Sequence, residues 1–174
     1  MSTASKPMAG DQARVSVLVA VEPSVAFRVF TEEIDLWWRA GLKYRIGGKH
    51  RSVIRLEPGV GGRLFESFES RSGTRVFDTG RVTVWEPPTR LVFEWRAVNF
   101  ARSEKTEVEV LFEPSASGTL VSVTHRGWSR IRADHPARHG HDVPVFLRML
   151  GLWWGDLMSS LREHAASGAR ERLE

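Results

Sequence analysis

The stretch VPVFLRMLGLWWGDLMSSL, residues 143–161, decides the fold that the sequence predicts. Its apolar residues recur at helical spacing and form one broad stripe, made of Phe146, Met149, Leu150, Trp153, Trp154, Leu157, Met158 and Leu161. Asp142 is a suitable N-cap, and Pro144 fits the first turn. A helix of about twenty residues is on the order of 30 Å long, enough to cross a sheet. Arg148 and Asp156 make the stretch amphipathic and too polar for an ordinary membrane span.

The sequence before this helix predicts an antiparallel sheet. Alternating apolar residues indicate strands at 14–21, 52–57, 63–70, 75–85, 89–98, 104–113 and 118–127. Pro23 and Ser24 suit a helix start, and apolar residues at helical spacing then predict two short helices, 23–31 and 32–38. Only the terminal helix is large and apolar enough to cover one face of such a sheet. We therefore predict an α+β fold in which six or seven strands grip that helix.

Length and composition predict one soluble globular domain. The chain has 174 residues, 41% of them hydrophobic and 26% charged, which is enough for one substantial core. We place a single domain at 13–166, a disordered leader at 1–12 and a polar tail at 167–174. The leader lacks the apolar segment of a signal peptide, and the absence of cysteine is compatible with a reducing cytoplasm. We expect a cytoplasmic protein with no membrane association.

The charge pattern argues against a nucleic-acid partner. The formal net charge is +4, but basic residues are spread along the chain and interleaved with acidic ones. The segment GVGG at 59–62 lies between two predicted strands and has no following helix to bind a phosphate. Neither nucleic-acid binding nor phosphoryl transfer is expected.

The aromatic residues favour an apolar pocket between sheet and helix. The chain has seven Trp and nine Phe but a single Tyr, so its aromatic content is mostly apolar bulk. In the predicted hairpin at 80–95, alternation points Leu91, Phe93 and Trp95 inward, towards the terminal helix. By the same alternation, the inward-pointing residues of the two following strands are Val108, Val110, Phe112, Val121, Val123 and His125.

Two helix glycines indicate that this pocket is incompletely filled. Gly151 and Gly155 each cost about 1 kcal/mol relative to alanine, so they require a packing or cavity reason. Close approach of the sheet is one reason; room for a ligand is the one we favour. Trp37 or Trp38 is expected to rim the pocket; the alternative is that one of the two simply fastens its helix to the sheet. The predicted ligand-binding residues are Phe30, Trp37, Trp38, Phe68, Phe93, Trp95, Phe112, His125, Trp128, Met149, Trp153, Trp154 and Leu157.

Two ionisable residues are predicted to share the interior, because alternation places both Glu66 and His125 inside the sheet. A buried carboxylate beside an imidazole could perform acid–base chemistry, since burial and a charged partner shift both pKa values towards neutrality. The alternative is structural, with Glu66 pairing with His125 or an arginine to satisfy a buried polar group. Glu66 and His125 are therefore weak catalytic candidates, and we expect a binding protein rather than an enzyme.

The polar segment 129–142 is long for a connection in a compact domain. It contains His135, His139 and His141, which are possible metal ligands by residue type. Glycine and proline interrupt the segment, however, and no group of carboxylates completes a site. We predict neither a metal nor a cofactor, and interpret the segment as a solvated, mobile lid over the cavity mouth.

Five motifs cover residues 14–165 in a definite order: FTEEIDLWW, GVGGRLFESF, GRVTVWEPPTRLVFEW, TEVEVLFEPSASGTLVSVTHRGW and GLWWGDLMSSL. Their order and spacing resemble the START-like helix-grip superfamily, also called SRPBCC or polyketide-cyclase-like. The resemblance is closest to the homologues of the activator of the 90-kDa heat-shock protein ATPase. It implies a curved sheet wrapped around the C-terminal helix with an apolar cavity between them. Bacterial members of this family are mostly small single-domain proteins.

Four functions stay open at this point. The leading hypothesis is binding of a small, largely apolar molecule in the cavity by a monomer or homodimer. A cyclase or hydratase that uses the Glu66 and His125 pair is the second. The third is a co-chaperone-like module that stimulates a heat-shock protein ATPase; it would bind weakly, because the activator touches its chaperone with a further domain that this chain is too short to contain. A fully packed stress or toxin–antitoxin partner is the fourth, and it predicts no cavity above about 300 Å³.

Overall fold

Seven antiparallel strands form one curled sheet in the order β1-β7-β6-β5-β4-β3-β2 in the computed structural model, which describes residues 10–48 and 50–171. A long C-terminal helix packs on its concave side. The predicted α+β helix-grip architecture is confirmed. The strands are β1 Gln12–Val19, β2 Ser52–Leu56, β3 Arg63–Ser70, β4 Gly73–Glu86, β5 Arg90–Trp95, β6 Thr106–Ser115 and β7 Gly118–Arg126. The helices are α1 Pro23–Glu32, α2 Ile34–Trp37 and α3 Val143–Glu171.

The curvature of the sheet is concentrated in β4. The first part of this strand pairs with β3, and its last part, from Val82 onward, pairs with β5. The register shifts in both ladders near this transition, which is typical of β-bulges that bend a strand. Gly80 lies at the transition, where a Cβ atom would come within 1.5 Å of the Glu94 carbonyl oxygen. Only glycine permits this approach, so Gly80 helps the sheet to fold over α3.

The alternation predicted for the central strands is confirmed. Leu91, Phe93, Val108, Val110, Phe112, Val121 and Val123 are all buried. The apolar stripe of α3 faces them, and its buried members are Phe146, Leu147, Leu150, Trp154, Leu157, Met158, Leu161 and Ala165. Asp142 caps the helix as predicted, since its Oδ1 accepts a hydrogen bond of 3.1 Å from the Val145 N–H. Among the described residues, no helix is long and apolar enough to cross a membrane.

α3 is longer than the sequence predicted. It continues to Glu171, so residues 167–171 of the predicted tail belong to the helix. The helical stripe persists to Ala165, which is buried, and the alanines that follow favour continuation. Residues 172–174 of the tail lie outside the described residues.

The predicted boundary of the leader at residue 12 is also wrong. Gln12 begins β1, and Asp11 is buried. The Asp11 carboxylate accepts hydrogen bonds from the backbone N–H of Ser129, at 2.9 Å, and from the Ser129 hydroxyl. A buried, bonded carboxylate fixes the chain here, although the surrounding sequence is polar. Residues 1–9 lie outside the described residues.

The packing of α3 gives a matched test of the fold. Leu157 is completely buried on the inner side of α3, whereas Leu152 is 74% exposed on its outer side. We expect Leu157→Ala to lower the free energy of unfolding by about 2–5 kcal/mol, because it leaves a cavity. Leu152→Ala should change it by less than about 0.5 kcal/mol. Urea unfolding measures both values, and equal effects would contradict this position of α3.

Candidate functional site

Two adjoining cavities open between the sheet, α3 and the connecting loops. The major cavity has a volume of about 580 Å³ and reaches from the loop at 39–48 to β3 and β4. The minor cavity, of about 430 Å³, lies beside the first half of α3. Both exceed about 300 Å³, the limit that the fully packed alternative predicts, which counts against that alternative. The two cavities share Leu42, Lys43, Trp95, Ala137, His139 and Trp153.

Four aromatic residues form one wall of the major cavity. Trp38 stacks on Trp95 with ring centroids 6.0 Å apart. Trp153 of α3 meets Trp38 and Trp95 edge to face, at 5.7 and 5.9 Å, and stacks against Tyr44 at 6.0 Å. These separations are typical of attractive aromatic pairs. Two of the three indole N–H groups bond to the loop at 39–48: Trp38 donates to the Tyr44 carbonyl and Trp153 to the Lys43 carbonyl.

Arg45 fixes the loop at 39–48 that carries this wall. Its guanidinium donates to the Asp35 carboxylate at 2.7 Å and to the carbonyls of Asp35, Trp38, Arg39 and Ser52. The same Asp35 carboxylate accepts the Ile54 N–H at 2.9 Å. Together these groups bond to the outer edge of β2, which would otherwise leave backbone groups unpaired.

Asp156 joins the loop at 39–48 to α3. Its Oδ2 accepts a 2.7 Å hydrogen bond from the Tyr44 hydroxyl and pairs with the Lys43 ammonium at 3.0 Å. Its backbone carbonyl accepts from Arg39 at 2.8 Å. The Tyr44 hydrogen bond, followed by that of Lys43, lowers the pKa of the Asp156 carboxyl.

Glu66 lies on the floor of the major cavity and is 4% exposed. Its Oε2 accepts the Ile46 N–H at 2.8 Å, and its Oε1 accepts the Gly47 N–H at 2.9 Å. The structure therefore gives Glu66 main-chain partners, and neither His125 nor an arginine is its partner among the described residues. The predicted Glu66 and His125 pair is not formed.

His125 lies at the centre of a buried chain of hydrogen bonds. Its Nδ1 accepts from the Trp154 indole N–H at 3.1 Å. Indole nitrogen is a donor only, so the proton of the neutral imidazole must be on Nε2, which donates to the Thr106 hydroxyl at 2.7 Å. Thr106 in turn donates to the Trp95 carbonyl at 3.1 Å. Burial lowers the pKa of His125 to about 3, so the imidazole is neutral at physiological pH and poorly suited to proton transfer there.

The predicted ligand-binding residues divide into three groups. Six line a cavity, namely Trp38, Trp95, His125, Trp128, Met149 and Trp153. Another six fill the closed core and line neither cavity, namely Phe30, Trp37, Phe93, Phe112, Trp154 and Leu157. Trp37 is thus the staple of the adjacent pair: its indole donates to the Phe30 carbonyl, and its own carbonyl accepts from Ser160. Phe68 lies elsewhere, in a surface groove with His50.

The segment at 129–142 borders both cavities, and most of its residues are exposed as predicted, but three of them are anchored in the interior. His135 and Arg138 are buried. His135 accepts the Ala137 N–H at 3.0 Å and bonds to the Asn99 carbonyl at 3.1 Å, while Arg138 donates to the carbonyls of Ile131 and His141. These bonds satisfy most of the buried polar atoms of the two side chains, although Arg138 Nε has no partner among the described residues. Within the described ranges, no group of three or more His, Asp or Glu side chains could hold a metal ion.

Sequence reasoning placed the two helix glycines wrongly and missed the loop at 39–48. A Cβ atom on Gly151 or Gly155 would meet nothing within 4 Å, so the sheet does not approach them, and neither lines a cavity. The missed lining residues include Leu42, Tyr44 and Ile46. No periodic pattern marks this loop; the one signal was that Tyr44 is the chain's single tyrosine.

The fold and the aromatic cavity define a helix-grip protein with internal space between sheet and helix. The family described as activator of Hsp90 ATPase homolog 1-like protein matches residues 20–149. The chain belongs to this family. No curated protein matches it.

Solved structures agree with the fold. The solution structure of an AHSA1-like protein from Aeromonas hydrophila is 20% identical, covers 91% of this chain and 94% of its own, and has a TM-score of 0.61. The Aha1 dimer from Colwellia psychrerythraea is 18% identical, with coverages of 87% and 93% and a TM-score of 0.55. A Staphylococcus aureus protein of unknown function is 11% identical, with coverages of 91% and 95% and a TM-score of 0.66. At these identities, the likeness concerns the fold alone.

The neutral His125 predicts a specific acid sensitivity. Below the ordinary pKa of 6.5, the unfolded chain binds a proton that the folded protein excludes until about pH 3. The free energy of unfolding should therefore fall as pH falls through this range, by up to about 1.4 kcal/mol per pH unit and roughly 2 kcal/mol by pH 5. Urea unfolding at pH 7 and pH 5 measures the loss.

The matched variants are His125→Gln, which lacks the titrating group, and His139→Gln, which removes an exposed histidine. Between pH 7 and pH 5, the free energy of unfolding should fall by about 2 kcal/mol less in His125→Gln than in the wild type. In His139→Gln it should fall as much as in the wild type. The same pH dependence in all three proteins would contradict a buried neutral His125.

Proposed function

We propose that this protein binds a small, largely apolar molecule in the major and minor cavities. The observation that carries the proposal is the wall of Trp38, Tyr44, Trp95 and Trp153 beside a cavity of about 580 Å³. Ligand sites commonly have this size and combine apolar walls with a few placed polar groups. The indole N–H groups of Trp38 and Trp153 and the Tyr44 hydroxyl bond to the protein itself, which leaves the faces and edges of these rings to contact a guest.

A cyclase or hydratase is less well supported by the site. The neutral His125 is bonded through both ring nitrogens, and Glu66 accepts two backbone N–H groups. Neither residue has a charged partner of the kind that tunes a general acid or base for proton transfer near neutral pH. We therefore infer binding without catalysis, in a cytoplasmic protein.

The family description favours a second candidate, a module that stimulates a heat-shock protein ATPase. The aliphatic residues Leu42, Ile46, Val98 and Met149 are exposed at the cavity mouth, and exposed apolar groups of this kind are common at interaction sites. Calorimetry with the purified chaperone, together with its ATPase rate, tests this candidate. Failure to bind at high concentration and an unchanged rate would remove it.

Native mass spectrometry of the protein purified from its own cytoplasm is the most direct test of the ligand proposal. A co-purifying apolar compound that leaves on denaturation is the expected result. The same spectrum gives the oligomeric state, for which the Colwellia relative, solved as a dimer, makes a homodimer the form to look for.

Neighbouring residues of α3 provide a matched binding test. Trp153 lines both cavities, whereas Leu152 is exposed and lines neither. We expect Trp153→Ala to raise the Kd of a neutral apolar dye, Nile red, by at least about tenfold, because a large aromatic contact is lost. Leu152→Ala should leave it unchanged. Dye fluorescence titration measures both, and equal affinities of the two variants would refute this binding site.

A further inference from the structure

We propose that the ligand of the major cavity carries a positive charge, as an organic ammonium group on an apolar body. This inference rests on the proposed function and specifies its ligand. It begins with Glu66, a carboxylate that lines the cavity at 4% exposure. Among the described residues, no lysine, arginine or histidine forms an ion pair with it, and its partners are two backbone amides. A buried carboxylate without a counter-ion is costly, so a cation entering the cavity relieves that cost.

The lysine and the two arginines that line the same cavity are bonded elsewhere. Lys43 pairs with Asp156 at the rim, and Arg45 pairs with Asp35 behind the wall. Arg96 donates to three backbone carbonyls of the segment at 100–102. None of these three groups therefore balances the charge of Glu66 in the cavity. An anionic ligand would find no free cation among them.

The lining of the cavity suits an ammonium group chemically. A carboxylate has about four acceptor positions, of which Glu66 uses two for the Ile46 and Gly47 amides. Tryptophan and tyrosine rings attract cations, and this attraction strengthens when the pair is shielded from water. The chain itself provides a parallel at the rim, where the Lys43 ammonium lies 5.3 Å from the centre of the Tyr44 ring and 3.0 Å from a carboxylate oxygen.

Three probes with one apolar body and different head groups test the proposal: 4-phenylbutylammonium, 4-phenylbutanol and 4-phenylbutyrate. Calorimetry and quenching of tryptophan fluorescence give their Kd values at pH 7. We expect the ammonium to bind at least about tenfold more tightly than the alcohol, and the carboxylate most weakly. Equal affinities for the three probes, or preference for the carboxylate, would overturn the inference.

Two matched variants connect the preference to one residue. Glu66→Gln removes the charge inside the cavity, whereas Glu69→Gln makes the same change on an exposed residue of the same strand. The ammonium should lose its advantage over the alcohol in Glu66→Gln and keep it in Glu69→Gln. An unchanged advantage in folded Glu66→Gln contradicts the inference. If that variant does not fold, the probe series on the wild type still decides.

Lys49 is outside the described residues and is close in sequence to the amides that bind Glu66. A cation preference that is absent in the wild type and arises in Lys49→Gln would overturn the inference, because the chain would then supply its own cation. Failure of the proposed function is a different result. In that case none of the three probes binds, and Nile red does not bind either.

Discussion

The difference in width between the sheet and its covering helix governs this structure. An α-helix with its side chains is about 10–12 Å wide, whereas strands are spaced about 4.8 Å apart, so one helix covers only two or three of the seven strands. α3 packs mainly on β1, and α1 and α2 pack against β2, β6 and β7. Part of the inner surface of β3 to β5 is left to the loop at 39–48 and the segment at 136–139. Loops must satisfy their own backbone polar groups and fill space poorly, which is why cavities remain there.

Polar groups around the cavities are used mainly to build the walls. The chain from Trp154 through His125 and Thr106 to the Trp95 carbonyl crosses the interior from α3 to β5. Arg45 secures the loop at 39–48 from behind, and Asp156 holds it to α3. Satisfied networks of this kind give rigidity, because every member has its partner at low dielectric constant. The result is a largely apolar cavity whose walls are held in place by hydrogen bonds within the protein.

The sequence predicted the sheet and α3 because their periodicity follows directly from burial. The same periodicity could not separate core from cavity. Phe93 and Trp95 point to the same side of β5, but Phe93 is buried in the core, while Trp95, at the strand end, borders the open space. Whether an inward-pointing residue lies in the core or at the cavity depends on its position along the strand relative to α3. That position is set by packing between residues far apart in the sequence. The loop residues Tyr44 and Arg45 have no periodic pattern at all, so their roles required coordinates.

The partners of Glu66 differ from those of Glu109 and Asp35, two partly buried acids that pair with arginines. Glu109 on the outer face of the sheet pairs with Arg90 and Arg126, and Asp35 pairs with Arg45. Glu66 instead holds the loop at 39–48 through two amides and brings its charge into the cavity. The same carboxylate thus fixes the cavity wall and contributes a negative charge to the cavity. A guest that interacts with it acts on the group that anchors the loop, so ligand binding and loop stability must be thermodynamically linked.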